Sequence, residues 1–193
     1  MDSTRTRSRD VEAALVDAAE AVLVREGPQA LTVRAVATEA GVAPMGVYNR
    51  FRNKDGLVDA VLVRGFQGLR AAISGGDVLD PVRRLRICGE RYRQFGLDHP
   101  QHYALMFDRI ALEAPSEEFI AAASGAFGSL VENVAAAMAS GVLRPDDPTE
   151  VAQVIWSAVH GATSLELKGL VKAGDPAAAY ARVLDALLHG LAP

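Results

Sequence analysis

The chain has 193 residues and a formal net charge of −4 at pH 7; half of its residues are hydrophobic and 6% are aromatic. This length is enough for one or two domains with a buried core, and the abundance of alanine and leucine favours helices over sheets. Because the opening residues are charged and no uninterrupted apolar run reaches about 18 residues, we expect no signal peptide, no membrane partner and a cytoplasmic location. The single cysteine excludes an internal disulfide.

The first predicted helix follows a polar N-terminal segment. Residues 1–9 hold three alternating arginines, which leaves two interpretations open: a disordered tail, or an arm that orders on DNA and reaches a minor groove. The helix is predicted from about Asp10 to Arg25, and Gly27-Pro28 ends it. Its expected buried stripe consists of Val11, Leu15, Ala18, Val22 and Leu23.

Residues 31–57 contain two short predicted helices. Thr32 is a capping residue, and Gly41 ends the first helix because glycine adopts a left-handed backbone conformation without steric cost. Pro44, which suits a first helical turn, begins a second helix that runs to about Phe51. Two short helices joined by a glycine-containing turn are typical of a helix-turn-helix. The first helix has apolar residues at the spacing of an amphipathic helix, at Val33, Val36, Ala37 and Ala40.

Positive charge is concentrated in the same stretch. Residues 31–54 have four basic side chains and one acidic one, Glu39, whereas residues 55–193 have 17 acidic and 12 basic side chains. A chain of net negative charge does not coat nucleic acid by bulk electrostatics. The distribution therefore favours a small DNA-binding segment on a body that does not bind DNA. The basic residues are Arg34, Arg50, Arg52 and Lys54.

This stretch resembles the DNA-binding domain of the TetR family of one-component transcriptional regulators. The resemblance covers about 26 positions without a gap. Its specific part is Ala-Gly-Val, then Gly-x-Tyr-x-x-Phe, then Lys-x-x-Leu; the alternative is a plain helical hairpin of a core. The matching residues are Thr32, Arg34, Ala37, Ala40, Gly41, Val42, Gly46, Tyr48, Phe51, Lys54 and Leu57.

The resemblance implies a role for each DNA-facing position. Base edges are expected to face Ala43, Pro44, Met45 and Gly46, and Arg34 is expected to reach a base or a phosphate. Phosphates are expected to be held by Thr32, Tyr48, Asn49, Arg50 and Lys54. The implied partners are a palindromic double-stranded operator and a second copy of the chain.

The rest of the chain is predicted to be helical as well, giving an all-α fold of about nine helices: an N-terminal three-helix DNA-binding domain and a C-terminal body. We expect residues 1–54 to form the DNA-binding domain, a linking helix to run from 53 to 73, and residues 75–193 to form the ligand-binding and dimerisation domain. The boundary is placed at the loop Ser74-Gly75-Gly76-Asp77. The later helices are predicted at about 80–98, 99–107, 116–139, 148–171 and 176–191.

Aromatic and methionine side chains gather in this body, where they suit a pocket for an apolar small molecule. Trp156–Leu167 and His99–Phe107 also resemble two segments of one TetR subgroup. Aromatic residues at helical spacing are often plain core, and both interpretations stay open. The candidate ligand-binding residues are Phe95, Tyr103, Met106, Phe107, Phe127, Trp156 and His160.

The last two helices carry broad apolar stripes. The resemblance implies that they pair with a second copy as a four-helix bundle; the alternative is burial within one subunit. A dimer spaces two recognition helices about 34 Å apart, as two half-sites on one face of DNA require. The candidate interface residues are Val154, Ala158, Val183 and Leu187.

Catalysis has little support in the sequence, because the four histidines form no metal-binding motif and no phosphate-binding loop or nucleophile elbow is present. We therefore expect no enzyme activity, no cofactor and no bound metal. Three functions remain: a repressor released from DNA by a small apolar or aromatic ligand, a helix-turn-helix regulator without such a ligand, and an all-helical carrier or enzyme.

Overall fold

The computed structural model describes residues 3–74, 78–108, 112 and 114–193. In these residues the fold is all-α, as predicted, with nine α-helices and one 3₁₀ turn at Pro28–Ala30. The helices are α1 Ser3–Glu26, α2 Val33–Glu39, α3 Pro44–Phe51, α4 Lys54–Ile73, α5 Pro81–Asp98, α6 Pro100–Phe107, α7 Glu117–Ala139, α8 Pro148–Leu167 and α9 Pro176–Leu191.

The chain forms two compact units. The first unit consists of Met1–Phe66 and Gln101–Ala123, and the second consists of Gln67–Pro100 and Ser124–Pro193. Helix α4 therefore contributes residues to both units, and α6 packs within the first unit. The predicted division into domains near residue 75 is a functional proposal, because residues 75–77 lie outside the described residues.

The first unit is built around α1 to α4. Buried leucine and valine side chains on one face of α1 pack with those of α2, α3 and α4, and Leu105 of α6 joins the same core. Val47 and Phe51 are the buried residues of α3, so the opposite face of that helix stays in solvent. The α1 residues of this core are Leu15, Val16, Ala18, Ala19, Val22 and Leu23.

Two expectations for α1 were wrong. The helix begins at Ser3 rather than near Asp10, so part of the polar N-terminal segment continues the helix. Val11 was expected in the buried stripe but is 50% exposed. It lies one turn before Leu15, which is the first member of the core, and therefore has no packing partner in that core.

The second unit packs α5 against α8 and α9. Arg93 of α5 forms two hydrogen bonds with Glu166 of α8, at 2.7 Å and 2.5 Å, and both side chains are mostly buried. Tyr180 of α9 donates a hydrogen bond of 2.6 Å to the carbonyl oxygen of Gly89. These contacts connect three helices through polar groups inside an apolar core.

Helix α8 ends at Leu167, four residues before the predicted end. Gly169 has a φ of 65°, and its N–H donates to Glu166 O at 2.9 Å while the N–H of Leu170 donates to Leu165 O at 2.8 Å. This left-handed cap satisfies the last carbonyl groups of the helix. Gly169 is the local sequence signal for the end of α8. The prediction extended the helix past this glycine to the apolar residues Leu170 and Val171.

By length and composition alone, one described helix, α7, is apolar enough to cross a membrane. The sequence criterion of an uninterrupted apolar run did not identify this helix, because Glu132 and Asn133 interrupt the run.

Candidate nucleic-acid interface

Both ends of α2 have the cap that the sequence predicts. Thr32 accepts a hydrogen bond of 3.2 Å from the N–H of Ala35 at the start of α2. At the other end, Gly41 has a φ of 66° and donates to Thr38 O at 3.2 Å, and Val42 donates to Ala37 O at 2.9 Å. These two bonds form a Schellman motif, which fixes the direction in which the chain enters α3.

Helix α3 exposes the residues expected at base edges. Met45 is 64% exposed, and Pro44 and Gly46 are exposed beside it. Ala43 is the N-cap in extended conformation, and it makes no side-chain cap bond. The first turn of α3 therefore presents an uncharged surface to solvent. The buried residue nearest to this turn is Val47, which follows it in the helix.

Tyr48 and Asn49 are exposed in the second turn of α3. The junction with α4 follows directly, and there Arg52 has a φ of 61° and a ψ of −47°. Asn53 N donates to Phe51 O at 2.6 Å across it, which is the geometry of a classic γ-turn, rare and strained for a non-glycine residue. The strain lies between α3 and Lys54.

Asn53 also caps α4, because its Oδ1 accepts a hydrogen bond of 2.9 Å from the N–H of Gly56. Lys54 is exposed in the first turn of that helix. A lysine ammonium at an exposed helix start is suited to a phosphate oxygen.

Arg34 of α2 is exposed, and Thr38 donates from its hydroxyl to the Arg34 carbonyl oxygen at 3.0 Å. An open groove of about 410 Å³ lies beside it, lined by the end of α1 and the outer face of α2. Glu39, the acidic residue of this stretch, accepts from Arg25 at 2.9 Å. Arg25 also pairs with Glu26 at 2.9 Å, so its single charge is shared between two carboxylates.

Arg50 differs from the other expected phosphate contacts. Its Nε donates to Oε2 of Glu12 at 2.8 Å, and its Nη2 donates to the same oxygen. The arginine side chain is 30% exposed. The recognition helix is thereby tied to α1 through a charge-assisted pair that the sequence did not indicate, since the two residues lie 38 positions apart.

A second polar cluster joins α1, α4 and α6. Arg64 donates to Glu20 at 3.0 Å and also to Asp17, and His102 of α6 lies 3.5 Å from Glu20. Burial acts to raise the pKa of Glu20, but the hydrogen bonds from His102 and Arg64 outweigh it, so its pKa lies below the ordinary value. The ionised carboxylate therefore holds three helices of the first unit together.

The predicted ligand-binding residues fall into two groups. Tyr103, Met106 and Phe107 lie on α6 in the first unit, where the rings of Tyr103 and Phe107 are 4.8 Å apart and Phe107 meets Phe66 edge-on at 5.8 Å. Met106 is packed so closely on α4 that a side chain on Gly65 would touch its sulfur.

The other group lies in the second unit. Phe127 packs on Trp156 with ring centroids 5.9 Å apart, and Trp156 packs on His160 at 5.8 Å. Trp156 Nε1 donates to the hydroxyl oxygen of Tyr92 at 3.3 Å, and the same oxygen lies 2.9 Å from His160 Nδ1. Phe95 is buried elsewhere in this unit, 5.0 Å from the ring of His99.

The predicted dimer residues lie partly in solvent. Val154 is 54% exposed, Ala158 is half-buried one turn later, and Leu165 is 49% exposed further along the same stripe of α8. Val183 and Leu187 are half-buried on α9. The part of the chain that the structure describes has no group of three or more His, Cys, Asp or Glu side chains arranged to hold a metal ion.

Two family models match the sequence. Residues 15–61 match the model for bacterial regulatory proteins of the tetR family, and residues 85–192 match the model for a tetracyclin repressor-like C-terminal domain. The second match spans more than half of the chain.

The chain is also similar to individual regulators and solved structures. The chain is 27% identical over 180 residues to the uncharacterized HTH-type transcriptional regulator Rv0681 of Mycobacterium tuberculosis, covering 92% of this chain and 79% of that protein. A protein of unknown function from Rhodococcus sp. RHA1 has a similar structure, with a TM-score of 0.85, 26% identity, and coverage of 95% and 96%. The fatty acid degradation regulator FadR from Bacillus halodurans shares the fold, with a TM-score of 0.71, 21% identity, and coverage of 93% and 98%.

Proposed function

Because the chain belongs to the TetR family of transcriptional regulators, which bind DNA through a helix-turn-helix, we propose that it is a dimeric repressor that a small apolar or aromatic ligand releases from a palindromic operator. The observation that carries this proposal is the exposed first turn of α3, flanked by the exposed cations Arg34 and Lys54. Cytoplasm is the location that fits this function.

The proposed DNA contacts follow from exposure and chemistry. Pro44, Met45 and Gly46 face base edges, together with Ala43. None of these side chains donates a hydrogen bond, and the thioether sulfur of Met45 is only a weak acceptor, so direct base readout is thin. Arg34 and the shape of the groove then provide more of the specificity. The proposed phosphate contacts are Thr32, Tyr48, Asn49 and Lys54.

Dimerisation is proposed through α8 and α9. The exposed stripe of α8 from Val154 to Leu165 is apolar, and an added side chain at Gly161 within it would meet nothing within 4 Å. A flat apolar stripe with small residues suits close packing of two helices. Members of the family act as dimers, and a symmetric pair presents two copies of α3 to one face of the operator.

The ligand response is proposed to involve the aromatic groups on α5 to α8. A ligand shifts DNA binding only if its affinity differs between the DNA-competent and the released conformation, and a tenfold shift requires about 1.4 kcal/mol of differential affinity. Helix α4 is suited to transmit such a shift, since it is continuous from Lys54 to Ile73. A hinge at Gly75-Gly76 is part of the same expectation and lies outside the described residues.

One observation favours the second function, a regulator without a small-molecule ligand. Tyr92 is 5% exposed, and its hydroxyl is already bonded to Trp156 and lies within hydrogen-bond distance of His160. A polar network that is satisfied within the protein specifies a packed core. If the aromatic residues of the second unit are core, effector binding has no site among them.

Both functions can be tested with purified protein. Gel-shift experiments with genomic fragments identify the operator, and candidate apolar and aromatic small molecules are then tested for release of the protein from that DNA. Trp156 is the single tryptophan of the chain, so its fluorescence reports on binding in the second unit. Release together with a change in Trp156 emission supports the ligand-responsive repressor, whereas release without such a change places the ligand elsewhere.

A further inference from the structure

Glu12 of α1 holds one of the cations of the recognition helix. Both Nε and Nη2 of Arg50 donate to Oε2 of Glu12, so the carboxylate engages one whole edge of the guanidinium. Glu12 is 43% exposed and Arg50 is 30% exposed. The pair therefore lies at the surface of the first unit, beside the exposed face of α3.

This pairing changes what Arg50 contributes to DNA binding. A cation adds to the salt dependence of binding when it neutralises a phosphate and releases condensed counterions. A guanidinium paired with a carboxylate has no net charge to offer, and the Glu12 carboxylate repels a phosphate that approaches the same edge.

The pair is also a poor source of stability, because exposed ion pairs contribute little to the free energy of unfolding. Its geometry, however, is specific. Two donors of a planar guanidinium converge on one carboxylate oxygen, which constrains the direction of the contact as well as its distance. The contact joins the last turn of α3 to α1, so it restricts rotation of α3 about its axis.

We infer that Glu12 and Arg50 are positioning residues for the recognition helix, and that Arg50 is not a phosphate contact while Glu12 holds it. This departs from the expectation for Arg50 drawn from family resemblance. The inference rests on the proposed DNA interface and adds a specificity function to α1: the pair sets the orientation in which α3 meets base edges.

The test is the salt dependence of DNA binding, measured by fluorescence anisotropy across a series of NaCl concentrations. The probes are the operator duplex identified from genomic fragments and a duplex of random sequence. The proteins are wild type, Glu12→Gln, Arg50→Gln, the Glu12→Gln/Arg50→Gln double variant, and Lys54→Gln as the matched phosphate-contact control. Thermal melting of each variant checks that the fold is kept.

Glu12→Gln is expected to release Arg50 to a phosphate, which steepens the slope of log affinity against log salt by about one. Arg50→Gln is expected to lower the preference for operator over random duplex several-fold, and its slope is expected to flatten, because it leaves the Glu12 carboxylate uncompensated. In the double variant the slope returns to the wild-type value, because the steepening requires Arg50.

Two results overturn the inference. One is a double variant whose slope is flatter than that of wild type by about one, as for the loss of an ordinary phosphate contact. The other is a double variant that keeps the steeper slope, since Glu12 then acts by its own repulsion of DNA. A Lys54→Gln variant with an unchanged slope contradicts the proposed DNA interface itself. This failure can be told apart from failure of the inference, because the inference is judged only by comparing the Glu12 and Arg50 variants with wild type.

Discussion

At the scale of single residues, Thr32 gives the most direct link between sequence and structure. Its hydroxyl accepts the Ala35 N–H at 3.2 Å and caps α2. Removing such a cap costs about 1 kcal/mol. Thr32→Ala is therefore expected to lower the free energy of unfolding by about that amount, measured by urea denaturation without DNA.

Thr38→Ala is the matched control. The Thr38 hydroxyl bonds back to the Arg34 carbonyl within the same helix, and alanine has a higher helix propensity than threonine. This variant should change the unfolding free energy by less than about 0.5 kcal/mol. Equal losses in the two variants would mean that the cap has no special role.

Glu20 gives an acid-dependent prediction. Its pKa is below the ordinary value of 4.5 in the folded state, so its ionised form stabilises the fold at higher pH. That contribution is fully present above pH 4.5 and is lost as the pH falls toward the lowered folded-state pKa. In Glu20→Gln the stability at neutral pH is lower, and its decline below pH 4.5 is shallower than in wild type.

The measurement is urea denaturation at a series of pH values for both proteins. Other carboxylates also titrate in this range, so the informative quantity is the difference between wild type and variant. A difference that stays constant through the acid range would show that Glu20 does not contribute through its ionised form.

Short-range signals at this scale were readable from the sequence. Thr32 and Gly41 each act on backbone groups within a few residues, and each adopts the predicted role. The pair Glu12–Arg50 was not readable, because its partners meet only after α1 and α3 have packed. The burial of Val11 was mispredicted for the same reason. Periodicity identifies the apolar face of α1, but the helices packed against α1 determine how far along that face the core extends.

At the scale of helices, replacing a glycine by alanine is expected to change stability in opposite directions in α5 and α7. A Cβ on Gly89 would lie 2.6 Å from Leu184 Cδ2, so α5 and α9 approach each other closely because position 89 has no side chain. Gly89→Ala is expected to destabilise the fold by about 1–3 kcal/mol through overpacking, measured by denaturant unfolding.

Gly128 of α7 is the control, because an added Cβ there meets nothing within 4 Å. Gly128→Ala should stabilise the protein by roughly 0.5–1 kcal/mol, since alanine has the better helix propensity. If Gly89→Ala were as stable as Gly128→Ala, the close packing of α5 on α9 would be refuted.

Three helices, α5, α8 and α9, have starts that are readable from Asp-Pro pairs, and Asp80, Asp147 and Asp175 cap these helices. The assignment of α6 was not predictable. Its residues 101–107 lie in the first compact unit, and their place in the ligand-binding domain stays a prediction. Which core a short amphipathic helix joins depends on tertiary contacts that its own periodicity does not contain.

At the scale of the whole molecule, the proposed dimer gives a test through Ala158. If α8 and α9 form the interface, Ala158→Arg buries an unpaired charge there at a cost of several kcal/mol. The variant is expected to sediment as a monomer and to lose operator binding. Ala181→Arg is the control, because Ala181 is exposed and lies about 200° around α9 from Val183; it should remain a dimer. A wild type that sediments as a monomer at micromolar concentration contradicts the proposal.

Sequence-specific DNA binding by the exposed first turn of α3 is the central claim. Its most direct test is footprinting of the purified protein on fragments selected from genomic DNA, with Gly46→Glu as the variant. An added Cβ at Gly46 meets only Val42 atoms at 3.8 Å, so the variant is expected to fold while it places a negative charge at the base edges. We predict a protected site with two half-sites about 34 Å apart, and loss of that protection in Gly46→Glu. Protection that persists in the folded Gly46→Glu variant, or a wild type that protects no fragment, would contradict the claim.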